Sequence, residues 1–249
     1  MSPSRLPILV AHRGWPERYP ENTLESLQAA VLAGARFIEF DIQLSRDQVP
    51  VLCHDASLKR TTGLDRLVMD LDIQELITLN VGEHQRFGDR YAAVRLPQLA
   101  EVAAWLKHVP QVQAFVEIKR QSLRHFGRGI VVRQIMSVLQ PALDQCIVIS
   151  FDHACLSMAR SLGARAIGWA PGNTDQEMRE TADSLQPDYL FAEENRFAEI
   201  YATLPGDWQW IVYAVQDPQR ALQLAAQGAG FVETNAIGEM LAAPEFAQS

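Results

Sequence analysis

Nine short apolar runs, at residues 8–11, 37–44, 49–53, 114–118, 146–151, 166–170, 189–192, 211–215 and 230–232, alternate with longer stretches of helical periodicity. No other feature of the chain constrains its fold as tightly. The runs are rich in β-branched and aromatic residues at consecutive positions, the pattern of strands buried on both faces of a parallel sheet. Amphipathic helical stretches occupy 21–34, 99–109, 128–139, 156–163, 176–185 and 218–228. Asn22 or Thr23 is placed to cap the first of these, Gly34 to end it, and Pro218 to open the last. Repeated strand-then-helix order implies parallel strands joined by right-handed crossovers.

The run at 49–53 is the exception. Only residues 45–48 separate it from its predecessor, too few for a parallel crossover. It must fold back as a hairpin, and a turn about Asp47-Gln48 sets His54 opposite Asp41. Eight parallel strands remain, and eight βα units in 249 residues predict a (β/α)8 barrel. A doubly wound open sheet would show a glycine-rich loop after its first strand, where this chain has His12-Arg13-Gly14-Trp15-Pro16. Residues 56–95 break the rhythm with polar turns and weak helical order. They read as an insertion or lid on a single domain spanning 1–249.

Charge and cysteine content narrow the partners. A net charge of −8 with no dense Lys/Arg face argues against nucleic acid. No stretch approaches the roughly 18 uncharged apolar residues of a membrane span, and the early apolar run is broken by Pro7 and ends at His12-Arg13. Stable membrane association is therefore not expected. The three cysteines, Cys53, Cys146 and Cys155, lack metal-like spacing and lie in apolar runs or beside them. They read as buried reduced thiols, and the expected location is the cytoplasm.

Barrel active sites lie at the C-terminal ends of the strands, so the polar residues there are the candidates. The first strand ends in His12-Arg13; the second carries Glu39 and Asp41 at spacing two; the strand at 114–118 carries Glu117 and leads to Lys119. Charges inside apolar strands are costly unless paired or bound to a metal. Taken singly, Glu-x-Asp suits a solvated strand face, and a lone histidine such as His84 or His153 carries no role. Together, three carboxylates, two cations and His12 with His54 map to one end of one barrel. Three carboxylates form a hard-oxygen site suited to Mg2+ or Ca2+ and poorly suited to Zn2+.

The ordered motifs Ala11-His12-Arg13-Gly14, Pro20-Glu21-Asn22-Thr23, Glu39-Phe40-Asp41, His54-Asp55, Thr61-Thr62-Gly63 and Glu117-Ile118-Lys119 resemble those of the glycerophosphodiester phosphodiesterase family. Ser150-Phe151-Asp152 fits the resemblance too, and Val212-Tyr213-Ala214-Val215 and Glu233-Thr234-Asn235 fit it more loosely. The resemblance implies a (β/α)8 barrel with a small insertion after the His-Asp motif. It implies metal-dependent hydrolysis of glycerophosphodiesters to an alcohol and sn-glycerol 3-phosphate. By the same resemblance His12 and His54 are the acid/base pair, Glu39, Asp41 and Glu117 hold one divalent cation, and Arg13 and Lys119 contact substrate. The chain departs from the family near its last two strands, with Ala214-Val215-Gln216 where Thr-Val-Asn is common and Thr234-Asn235 where Thr-Asp is common. A lysophospholipase D would need an apolar entrance or a membrane face, and Trp208-Gln209-Trp210 is the one hint of either. A catalytically silent phosphodiester sensor should have lost a histidine or a carboxylate, and this chain retains all of them.

Overall fold

A computed structural model describes residues 6–172 and 176–247. Its strands are β1 (Ile8–Ala11), β2 (Phe37–Leu44), β3 (Pro50–Leu52), β4 (Gln113–Ile118), β5 (Cys146–Ser150), β6 (Ala166–Trp169), β7 (Tyr189–Glu193), β8 (Gln209–Tyr213) and β9 (Phe231–Thr234). All but β3 run parallel, in the order β1-β9-β8-β7-β6-β5-β4-β2, and β1 pairs with both β9 and β2. The sheet therefore closes on itself as a (β/α)8 barrel. The expected single domain of 1–249 includes residues 1–5, 173–175 and 248–249, which lie outside the described residues.

Alternation along the strands divides the apolar side chains between two cores. Outward residues such as Ile38, Phe40, Val116, Val148 and Val212 pack under the surrounding helices. Inward residues Val10, Phe115, Ile147, Ile149, Phe191, Ile211 and Phe231 fill the barrel. Rings of Phe37, Phe115, Tyr189, Phe191 and Phe231 meet at centroid distances between 5.1 and 6.3 Å, mostly edge to face. Such pairs add about 0.5–1.5 kcal/mol each beyond their buried area. This aromatic plug is the floor on which the polar layer rests.

Local chemistry starts the helices where the sequence indicates. Thr23 is extended and its hydroxyl accepts from Ser26 N, so Thr23 caps helix Leu24–Leu32. Asp152 caps helix His153–Ser161, and Asp217 caps Pro218–Ala226 with proline in the first turn. Helices Arg120–Phe126, Phe197–Thr203 and Ile237–Ala242 escape the periodicity reading because each is short. Arg120–Phe126, for example, buries only Ser122 and Leu123.

The hairpin differs from expectation by one residue. Ile42 pairs with Leu52, Gln43 with Val51 and Leu44 with Pro50, so Cys53 rather than His54 stands opposite Asp41. A two-residue turn of the expected kind needs positive φ at both central positions, which Asp47-Gln48 without glycine does not favour. The chain makes a three-residue turn instead. Gln48 alone adopts a left-handed conformation, and Ser45 Oγ bonds Asp47 Oδ1 and accepts from Val49 N.

Residues 56–95 build a small unit of short helices around Leu58, Val68, Leu71, Ile73, Leu76, Val81 and Val94. None of them lines the central cavity. Trp208 and Trp210 lie at the opposite end of β8 from Tyr213, with Trp210 buried against Phe197 and Tyr201. They are packing residues remote from the candidate site.

Candidate active site

The β1 end reaches the barrel mouth through a strained turn. Arg13 is left-handed at φ 53°, and its backbone N–H donates to Glu39 Oε2 at 3.0 Å. Gly14 follows at φ 87°, where an added Cβ would lie 2.4 Å from Ser26 Oγ. Only glycine fits. Asn22, left-handed at φ 53°, reaches across to β2: its Nδ2 donates to Asp41 Oδ2 at 2.8 Å and its Oδ1 accepts from Asp41 N at 3.0 Å. Strained non-glycine residues on both sides of one carboxylate are typical of a functional site.

Glu39, Asp41 and Glu117 converge, with one oxygen of each lying within 4.8 Å of the others. Lys119 Nζ stands 3.1 Å from Asp41 Oδ1 and 2.8 Å from Glu117 Oε1, and Arg13 Nε stands 3.3 Å from Asp41 Oδ2. Their electrostatics diverge. Burial would raise Asp41, but Lys119, Arg13 and the Asn22 hydrogen bond outweigh it and hold its carboxyl well below the usual range. Burial and then Asp41 push Glu117 up to about 7. Burial, Asp41 and Glu233 hold Glu39 well above its ordinary value. Glu39 Oε1 is buried without a hydrogen-bond partner. An orphaned carboxylate oxygen among three converging acids fits a hard divalent cation.

The two histidines are anchored differently. His12 Nδ1 lies 2.7 Å from Asn235 Oδ1 and its Nε2 lies 3.9 Å from Glu39 Oε2. Because the amide oxygen only accepts, this contact assigns the His12 proton to Nδ1 and turns Nε2 inward. Burial, aided by Arg13, lowers His12 to about 4. His54 Nδ1 lies 2.7 Å from Asp55 Oδ1. Asp55 is held by Arg60 Nε at 2.7 Å, and Arg60 grips Glu21 through two bonds of 2.7 and 2.8 Å. Glu21 in turn meets Arg13 at 3.1 Å. Alternating charges thus run from His54 to Arg13 and Asp41, and the 56–95 unit, through Arg60, is part of that chain. Burial lowers His54 as well.

His12, Arg13, Glu39, His54, Glu117 and Lys119 line one cavity of about 260 Å³, while Asp41 lies beneath it at 1% exposure. All seven residues singled out in the sequence thus come together. His54 does so although the hairpin register expected to bring it there is wrong. The strand ends at Leu52, and the following turn carries the imidazole to the mouth.

Sequence reasoning missed Glu233. This buried glutamate points inward from β9, with Oε1 lacking a partner, and lines the same cavity. Burial, then Glu117 and Asp41, push it up to about 8. Its signal was available: a charge directly after the apolar run 230–232, the placement that drew attention to Arg13 after 8–11 and Lys119 after 114–118. Asn235, Asp55, Arg60 and Glu21 were quoted only as motif members or not at all, because side-chain partners far apart in the chain leave no spacing to read.

Residues 12–234 match the Glycerophosphoryl diester phosphodiesterase family. The chain belongs to that family. It is 31% identical over 150 residues to a glycerophosphodiester phosphodiesterase of Caldanaerobacter subterraneus subsp. tengcongensis, covering 60% of each chain. It is 32% identical over 154 residues to one from Bacillus altitudinis, covering 62% of each. The chain thus spans about 60% of the length of the curated relatives it matches. In three dimensions it resembles an Oleispira antarctica phosphodiesterase described in complex with the product sn-glycerol-3-phosphate, with a TM-score of 0.82, 25% identity and 98% of both chains covered. A Thermotoga maritima glycerophosphodiester phosphodiesterase shares the fold at TM-score 0.72 and 23% identity, covering 95% of this chain and 98% of that one. Among the described residues, no helix is long and apolar enough to cross a membrane.

Proposed function

We propose that the chain hydrolyses glycerophosphodiesters to an alcohol and sn-glycerol 3-phosphate, using one divalent cation and a pair of histidines. One observation carries this reading: Glu39 and Glu117, with Asp41 just beneath them, meet the buried Lys119, the part-buried Arg13 and two anchored imidazoles at a single cavity at the barrel mouth. Glu39, Asp41 and Glu117 would hold Mg2+ or Ca2+, which when bound supplies positive charge to a phosphate oxygen and offsets charge developing in the transition state.

The protein groups divide the remaining work. Lys119, clamped between Asp41 and Glu117, and Arg13, clamped between Asp41 and Glu21, present fixed positive charge to the diester at no cost in reorganisation. Each histidine has Nδ1 engaged by a side-chain oxygen, leaving Nε2 for proton transfer. One takes a proton from the glycerol 2-hydroxyl as it attacks phosphorus and the other gives one to the departing alcohol; with the two roles exchanged, water then opens the resulting cyclic phosphate to the monoester. The apolar wall of Ile149, Phe151, Phe191 and Tyr213 lowers the local dielectric and strengthens these interactions. A cytoplasmic setting suits the three unpaired buried cysteines.

The test is release of sn-glycerol 3-phosphate from a panel of glycerophosphodiesters by the purified protein. Turnover of at least one diester supports the reading. Binding of diesters without release from any of them would make the barrel a sensor.

A further inference from the structure

A second cleft adjoins the first. It has a volume of about 330 Å³ and is lined by Arg120, Arg124, Arg128, Phe151, Asp152 and His153. Phe151 forms a wall of both cavities, and Arg120 directly follows Lys119 of the candidate site. The guanidinium of Arg120 lies over the Phe151 ring at 5.0 Å. Arg120 and Arg124 are four residues apart on helix Arg120–Phe126, so they share one face.

The charge in this cleft is unbalanced. Asp152 is its only carboxylate, and Arg128 takes it through three bonds of 2.7 to 3.0 Å. Asp152 also caps the next helix through Cys155 N. Among the described residues, neither Arg120 nor Arg124 has a carboxylate within salt-bridge distance, although the chain as a whole carries a net charge of −8. Two uncompensated guanidiniums beside a phosphodiester site, in an acidic protein, have the chemistry of an anion subsite.

We propose that this cleft binds an anionic leaving group: a glycerophosphodiester whose alcohol carries a second phosphate or a carboxylate seats that anion against Arg120 and Arg124 while its diester occupies the main cavity. The proposal rests on the phosphodiesterase reading and adds the substrate class to it. Both arginines are exposed, so the preference is screened by salt and fades as ionic strength rises above the physiological range.

The experiment compares a matched pair, glycerophosphoinositol and glycerophosphoinositol 4-phosphate, which differ by one phosphomonoester. At low salt the wild type should favour the phosphorylated diester in kcat/KM by on the order of tenfold, the size of one charge-assisted hydrogen bond to a partly screened anion. The Arg120→Ala/Arg124→Ala double variant should lose that preference while its melting temperature stays unchanged. Equal kcat/KM for the pair in the wild type, or an equal fall for both diesters in the variant, overturns the subsite. If neither diester is turned over and the wider panel of glycerophosphodiesters is inert too, the phosphodiesterase reading is what fails. Calorimetric titration of both diesters into Mg2+-loaded His12→Ala/His54→Ala protein then decides the subsite separately. Tighter binding of the phosphorylated diester, lost with Arg120 and Arg124, supports it, and equal binding overturns it.

Discussion

Lys119 Nζ stands 3.1 Å from Asp41 Oδ1, and both side chains are almost completely buried, at 8% and 1% exposure. With Arg13 and Asn22 also on Asp41, this carboxylate faces a buried and a part-buried cation as well as the other two acids. Removing Asp41 leaves Lys119 with Glu117 alone and Arg13 with Glu21 alone. Asp41→Ala should therefore destabilise the protein, by less than the ~3–5 kcal/mol of a fully stranded buried charge, and abolish turnover. Simple relief of repulsion in an acidic cluster would instead leave the variant equally or more stable. Denaturant unfolding in chelator distinguishes the two outcomes.

Glu117 should behave in the opposite way. Its carboxyl is raised to about 7 because burial and Asp41 oppose its ionisation. Replacing it with Gln removes that opposition, so Glu117→Gln should melt at a higher temperature than wild type in chelator at pH 8. The same variant should lose most of any stabilisation that wild type gains from added Mg2+ or Ca2+. A lower melting temperature in chelator would show that Glu117 is a structural partner of Lys119 first.

The pH dependence of the metal-free protein follows from the same groups. Glu117 and Glu233 have folded-state values raised to about 7 and about 8, above the ordinary 4.5. Their contribution is present in acid and is lost as pH rises through those values. His12 works in the other direction, because its value is lowered from 6.5 to about 4. Its contribution is complete above 6.5 and is lost as pH falls towards 4. Stability in chelator should therefore decline from pH 6.5 to about 8, and Glu233→Gln should flatten the decline. Melting curves across that window check it, and a steady rise would contradict it.

His12→Ala and His54→Ala should each lower kcat by about 10² or more. If the pair shares one proton pathway, the double variant should be little worse than the poorer single one. Multiplicative losses in steady-state kinetics would argue for independent roles.

The fold was legible because strand burial on both faces writes itself as apolar runs, and all nine runs overlap strands, eight of the barrel and one of the β2–β3 hairpin. The metal carboxylates were legible for a related reason. A charge inside an apolar strand is costly unless paired or metal-bound, and although each has a bland reading alone, Glu39, Asp41 and Glu117 map together to one end of the barrel. The hairpin register was not legible, because Asp47-Gln48 favours neither turn type strongly and the choice rested on Ser45 Oγ reaching Asp47 and Val49. The supports of the site were hidden for another reason. Asn235 reaches His12 across 223 positions and Arg60 reaches Glu21 across 39, distances over which no local pattern operates.

Diester hydrolysis should depend on one divalent ion held by Glu39, Asp41 and Glu117. The most direct test is release of sn-glycerol 3-phosphate from glycerophosphocholine or glycerophosphoethanolamine before chelation, after exhaustive chelation and after readdition of Mg2+ or Ca2+. Turnover should disappear with chelator and return with one equivalent of the ion per chain. Full activity in the chelated protein would contradict it.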